Sequence, residues 1–137
     1  MSILLRHALG LNFGDAANEW LFKNYIENIK SEDCWWSVDK EYEKNTKTIL
    51  GMGSIIDKVN KNDIVCGSGM IAPTMFPKYS PNQLKEMIMV RGPLTYDKLV
   101  SKGYKVQRVF GDPGLLFSDI YKSNVTKKHR FGIIPHF

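Results

Sequence analysis

In this 137-residue chain, polar and charged residues follow short apolar runs, most of them beside a glycine. Glycine lets a ligand approach the backbone closely, and arginine can pair with a carboxylate or phosphate through two N–H groups. These residue types favour binding of a small anionic or sugar-like ligand, but no single residue can be assigned as catalytic. No metal site and no cofactor are expected. The candidate binding residues are Asn12, Gly14, Asp15, Ser54, Ser68, Arg91, Asp112 and His136.

Several of these residues also have a purely structural interpretation. Asp15 or Asn12 could cap the helix that follows them, and capping alone would account for Asp15. Arg91 could form a salt bridge with Asp112 or Asp15 across neighbouring strand ends. Asp112 stands in Gly-Asp-Pro, which is typical of a tight turn, and His136 lies where a chain terminus frays into solvent.

Three motif-based functions lack part of their pattern. Residues 51–53 begin a dinucleotide-binding fingerprint, but Ile56 stands where the third glycine is required. Residues 67–69 are an incomplete nucleophile elbow, and the chain has no phosphate-binding GxxxxGK[ST] loop. Cys34 and Cys66 are isolated, which excludes a zinc site of recognisable spacing and favours a reducing compartment.

Charge is distributed unevenly along the chain. Residues 1–70 carry a net charge of −2, whereas residues 71–137 carry +7. A basic half implies an anionic partner, but only residues 127–130 cluster and no nucleic-acid-binding motif is present, so a small anionic substrate is expected rather than nucleic acid. No run approaches the ~20 apolar residues of a membrane span. Without a signal peptide either, a cytoplasmic location is expected.

Apolar runs alternate with helical periodicity. Ala17, Trp20, Leu21, Tyr25 and Ile29 are predicted to share the buried face of a helix that starts near Asp15, and residues 31–45 are polar without a strand pattern. This order predicts an α/β fold, a single Rossmann-like domain over 1–137 with a parallel sheet and helices on both faces. The candidate residues then follow the carboxyl ends of strands, where such sheets bind ligands. Strands are predicted at 3–9, 46–50, 63–66, 87–90, 106–110 and 131–134, and further helices at 55–59, 94–101 and 114–121.

Six short motifs occur in an order that resembles the polysaccharide pyruvyl transferase family over roughly residues 9–137. The resemblance implies a glycosyltransferase-B-like architecture of two Rossmann-like halves. It also implies transfer of pyruvate from phosphoenolpyruvate to a sugar of a surface polysaccharide as a ketal. The motifs are Asn-Phe-Gly-Asp (12–15), Gly-Met-Gly-Ser (51–54), Gly-Ser-Gly (67–69), Val-Arg-Gly-Pro-Leu-Thr (90–95), Gly-Asp-Pro-Gly-Leu-Leu (111–116) and Gly-Ile-Ile-Pro-His-Phe (132–137).

The resemblance covers the first half of that architecture, with residues 131–137 at the start of the second. The family's second half carries a further Arg and His for phosphoenolpyruvate, so this chain alone is expected to bind that donor weakly or not at all and to show no turnover. The alternative is a non-catalytic domain that binds a sugar or an anion. Expected partners are phosphoenolpyruvate, a saccharide acceptor, and either a separate second-half chain or a second copy recruited by Phe131, Ile133, Ile134 and Phe137.

Overall fold

The structure, a computed structural model, describes residues 2–10 and 12–133 and contains a five-stranded sheet in which all strand pairs are parallel. The order across the sheet is β2-β1-β3-β4-β5. This arrangement confirms the predicted α/β class. The strands are β1 (Ser2–His7), β2 (Lys30–Asp33), β3 (Thr46–Leu50), β4 (Ile64–Ser68) and β5 (Met89–Val90).

Helices lie on both faces of the sheet because neighbouring strand residues point in opposite directions. On one face Leu5 packs against Phe22 of α1, whereas Leu50 and Val90 on the other face pack in one cluster with Leu99 of α2. The α-helices are α1 (Phe13–Tyr25), α2 (Pro93–Ser101) and α3 (Phe117–Ile120), and 3-10 turns span Ile56–Lys58, Pro81–Gln83 and Pro113–Leu116.

The predicted face and length of the first helix are partly wrong. The helix begins at Phe13 and ends at Tyr25, and Ile29 is buried beyond its end. Trp20 is 47% exposed and Tyr25 51% exposed, although both were expected in the core. Trp20 instead stacks on Phe117 of α3, with ring centroids 5.0 Å apart. Residues at three- and four-residue spacing can be assigned to either of two adjacent faces of a helix. The prediction chose the face with the large aromatic residues, whereas the buried face contains Ala17, Leu21 and Phe22.

Strand β2 overlaps the polar segment 31–45, in which no strand was predicted. Its sequence, Lys-Ser-Glu-Asp, has no apolar residue, yet it pairs with β1 in parallel from Leu4↔Lys30 to His7↔Asp33. The pairing continues through the Cys34 N–H, which donates to the His7 carbonyl at 2.9 Å. Backbone hydrogen bonds alone define this edge strand, so apolar alternation could not reveal it.

The C-terminal third of the chain is less regular than predicted. The strand expected at 106–110 is reduced to isolated parallel bridges at Val106 and Phe110, and the helix expected at 114–121 is a 3-10 turn followed by α3. Residues 131–133 form no strand and are exposed, and the rest of that predicted strand lies outside the described residues. These segments have few long-range backbone partners to hold them extended.

A buried ion pair joins the first strand to the residue that precedes β4. Arg6 and Asp63 form a salt bridge with both side chains fully buried. Arg6 also donates from Nε to the Ser37 hydroxyl at 3.0 Å and from Nη2 to the Lys58 carbonyl at 2.9 Å. Burial raises the pKa of Asp63 and the Arg6 guanidinium opposes that rise, so each charge depends on the other for its compensation.

Candidate functional site

The turns that follow β3, β4 and β5 meet at the carboxyl edge of the sheet. The Gly69 N–H donates to the Gly53 carbonyl at 2.8 Å, and the Arg91 N–H donates to the Ser68 carbonyl at 3.0 Å. The next segment joins the same edge, because the Gly111 N–H donates to the Val90 carbonyl at 3.2 Å. The predicted convergence of these turns on one edge is therefore confirmed.

Arg91 is the best-positioned cation at this edge. Its Nη1 donates to the Ser54 hydroxyl at 2.9 Å and its Nη2 donates to the Met70 carbonyl at 3.0 Å. Across residues 2–10 and 12–133, no carboxylate lies within salt-bridge distance of the guanidinium. The salt bridge to Asp112 or Asp15 that the sequence left open is absent, and among the described side chains and carbonyls the guanidinium bonds a neutral hydroxyl and a carbonyl.

Gly69 makes room for the Arg91 side chain. A Cβ atom placed on Gly69 would lie 2.7 Å from Nε and 2.8 Å from Cζ of Arg91, closer than real Cβ contacts occur. The guanidinium therefore rests directly against the backbone of the turn after β4. The guanidinium donates to Ser54 and Met70 and lies against Gly69, so it is held in one orientation. In that orientation its remaining N–H groups can bind an anion in a bidentate manner.

Asp15 lies at the same edge, in the first turn of α1. A Cβ atom placed on Gly53 would lie 3.8 Å from its Oδ1, and one placed on Gly10 would lie 3.3 Å from its Oδ2. Asn12, rather than Asp15, is the helix cap, since its Oδ1 accepts from the Gly14 N–H at 2.7 Å. The Asp15 carboxylate has no hydrogen-bond partner among the described residues, which leaves it available to a ligand hydroxyl.

Two of the remaining candidates have structural roles. Ser68 is fully buried and its hydroxyl donates to the Gly51 carbonyl, so a ligand at the edge would not reach it. Asp112 caps the following 3-10 turn by accepting from the Gly114 N–H at 2.8 Å, as the turn interpretation predicts. His136 lies outside the described residues. The structure thus brings together Arg91, Ser54 and Asp15, with Asn12 and Gly14 beside them.

Two buried side chains next to this edge were missed from the sequence. His7 ends β1, and its Nδ1 lies 3.0 Å from the Ala8 carbonyl and 3.1 Å from the Asp15 carbonyl. Because both neighbours only accept, Nδ1 carries the proton, while Nε2 is buried without a partner among the described residues. Asn18 is the second, and it bonds the turn after β3. The sequence does contain a signal for each residue: His7 is a polar residue at the end of an apolar strand, and Asn18 is a polar residue on the apolar face of a helix.

A concavity of the described residues lies at the opposite edge of the sheet. It has a volume of about 580 Å³ and includes Thr46 and Ile64, which begin β3 and β4. Lysines and carboxylates alternate around it, for example Lys40, Glu41, Glu43 and Lys44. Ligands of parallel sheets bind at the carboxyl ends of the strands, so this cleft does not replace the Arg91 edge as the candidate site.

No family model, curated protein or solved structure matches this chain. The site therefore has to be interpreted from its own geometry. Over residues 2–10 and 12–133, no three His, Cys, Asp or Glu side chains are grouped as metal ligands. Within the same part of the chain, no helix combines the length and apolar character needed to cross a bilayer.

Proposed function

We propose that the carboxyl edge binds the anionic end of phosphoenolpyruvate, as one part of a site that transfers pyruvate to a sugar of a surface polysaccharide. The observation that carries the proposal is the Arg91 guanidinium, fixed by Ser54 and Met70 and left without a carboxylate partner among the described residues. A positioned arginine with N–H groups to spare matches the planar carboxylate or the phosphate of this donor. The order of the six motifs supports the choice of this donor among small anions.

In this function Arg91 binds and orients the donor, and Asp15 accepts a hydrogen bond from a hydroxyl of the acceptor sugar. Transfer requires a proton on the methylene carbon of phosphoenolpyruvate, attack of two sugar hydroxyls on its central carbon, and departure of phosphate. Positive charge near the phosphate stabilises the leaving group. No described side chain is assigned as the proton donor.

A second candidate function is anion or sugar binding without catalysis. It is favoured by the use of Ser68 and Asp112 in backbone hydrogen bonds, which leaves Arg91 and Asp15 as the charged candidates at the edge that remain accessible. One cation and one carboxylate are sufficient to bind a sugar acid or a phosphate ester, and neither is assigned as the donor of a proton to carbon.

The donor proposal is tested by titrating the isotope-labelled chain with phosphoenolpyruvate and following backbone amide shifts. We expect weak binding, with the largest shifts at Gly53, Ser54, Gly69 and Arg91. Arg91→Gln should abolish these shifts. The matched control is Arg108→Gln, which removes the same charge from an exposed arginine. If the two variants show equal shifts, phosphoenolpyruvate is attracted to the chain non-specifically by its positive charge, and the proposal is overturned.

A second variant separates the charge of Arg91 from its position. Gly69→Ala keeps the guanidinium but inserts a methyl group 2.7 Å from Nε, so the side chain must leave its place. We expect this variant to lose most of the binding while circular dichroism shows the same fold. Mass spectrometry of sugars incubated with the chain and phosphoenolpyruvate tests transfer directly. Ketal formation would establish the transferase and overturn the expectation that this chain alone shows no turnover. Binding without ketal formation is the expected result and leaves the chain as the donor-binding part of a site.

A further inference from the structure

An apolar groove lies on the sheet face that α1 covers only in part. Its volume is about 320 Å³, and its floor is formed by Cys66 of β4 and Met89 of β5. One wall is the C-terminal half of α1 and the other is the 3-10 turn Pro113–Leu116. Asp112 is its one charged lining residue among those described. The walls include Phe22, Tyr25, Leu115 and Leu116.

The groove walls expose large apolar side chains to solvent. Leu115 is 76% exposed, Tyr25 51% and Leu116 42%. Helix α1 packs over the β1 side of this face, where Leu5 and Phe22 are buried, and the 3-10 turn Pro113–Leu116 packs on β4, so the groove lies between the two. An apolar groove of this size accommodates one or two large apolar side chains of another chain or segment.

The same chain carries an exposed segment with matching chemistry, residues 121–133, here called the arm. Every residue of the arm is exposed, including Phe131 at 79% and Ile133 at 90%. The arm has four Lys or Arg residues and no Asp or Glu. Phe131 and Ile133 are two residues apart, so an extended arm presents both side chains on the same side. The arm does not lie in the groove of its own chain.

We propose that the groove is the docking site for the arm of a second copy of this chain, in a reciprocal two-fold dimer. Phe131 and Ile133 of one copy fill the groove between Tyr25 and Leu115 of the other. The basic residues that precede Phe131 then face Asp112 of the partner copy, whose charge is of the opposite sign. Exchange of identical arms buries the groove and the apolar side chains of the arm in both copies, because each copy supplies one arm and one groove.

The oligomeric state of the chain in solution tests this docking. We expect light scattering to give twice the monomer mass of 15.7 kDa, with a concentration-dependent return to monomer on dilution. The double variant Phe131→Ser/Ile133→Ser should be monomeric at the same concentration. Val125→Ser is the matched control, since Val125 is 79% exposed in the same arm but is not assigned to the groove. A monomeric wild-type chain, or a dimer that survives the double variant, overturns the proposal.

The groove side is tested with Leu115→Lys, which places a positive charge where the basic arm must dock. Leu115 is 76% exposed, so this variant keeps its fold, as circular dichroism will verify, and we expect it to be monomeric. Mixing then distinguishes a partner's arm from the chain's own. Leu115→Cys and Ile133→Cys chains, both carrying Cys66→Ser, should form a mixed disulfide dimer. A double-cysteine chain that closes only on itself shows that the arm occupies its own groove, and the dimer proposal fails.

Discussion

The side-chain amide of Asn18 is hydrogen-bonded to both backbone polar groups of Met52. Its Oδ1 accepts from the Met52 N–H at 2.8 Å and its Nδ2 donates to the Met52 carbonyl at 3.0 Å. Asn18 is fully buried in α1, and Met52 lies in the turn between β3 and Ser54. This pair attaches the helix that carries Asp15 to the turn that carries Ser54, and so sets two parts of the candidate site relative to each other.

Replacing Asn18 with alanine is expected to lower the free energy of unfolding by about 2–3 kcal/mol, because two buried backbone groups of Met52 lose their partners. Urea denaturation followed by circular dichroism measures the change. Asn24→Ala is the control on the same helix, since Asn24 is exposed and its amide donates to the Trp20 carbonyl of the same helix. The control should stay within about 0.5 kcal/mol of the wild type. Equal effects of the two substitutions would contradict the role assigned to Asn18.

Gly51→Ala tests the same contact from the strand side. A Cβ atom on Gly51 would lie 2.3 Å from Asn18 Oδ1 and 3.2 Å from Leu5 Cδ1. Because both neighbours are buried, we expect a loss of about 1–3 kcal/mol in unfolding free energy from overpacking. Gly132→Ala, with no atom within 4 Å of the added Cβ, should leave the stability unchanged. A Gly51→Ala variant as stable as the wild type would show that the helix moves aside without cost.

The Arg6–Asp63 pair is expected to be strongly coupled. Either Arg6→Met or Asp63→Leu leaves the other charge buried alone and should cost about 3–5 kcal/mol in unfolding free energy. The double variant should cost much less than the two single costs together. For the exposed Lys23–Glu19 pair, the corresponding coupling should stay below about 1 kcal/mol. A double-mutant cycle on each pair provides the comparison, and additive costs at Arg6 and Asp63 would refute the coupling.

The thiol of Cys34 is expected to be inert in the folded protein. Burial raises its pKa to about 12, so the reactive thiolate is scarce at neutral pH. In a Cys66→Ser chain, a disulfide reagent should modify Cys34 far more slowly under native conditions than in guanidinium chloride. The native rate should rise with pH by about tenfold per unit below the pKa, as the thiolate fraction does. Fast modification of the folded chain at pH 7 would show that Cys34 is accessible and ionised.

Part of this architecture follows from local sequence. The apolar runs that became β1, β3 and β4 are each followed by a glycine-bearing turn, and strands of a buried parallel sheet are specified by such runs. Helix α2 begins at Pro93, which has no N–H to leave unpaired at that position, and the chain turns at Gly103 with φ of 85°. These features depend on neighbours in the chain, so the sequence alone could predict them.

The partner of each polar side chain was decided by the tertiary structure. Arg91 could equally have met Asp15 or Asp112, but the packing of its guanidinium on Gly69 directs it to Ser54 and Met70. Strand β2, the Arg6–Asp63 pair and the bond from Asn18 to Met52 likewise join residues distant in the chain. Their energies arise from burial and from backbone pairing, which exist only once distant segments are packed together, and no local pattern of residue types records that packing.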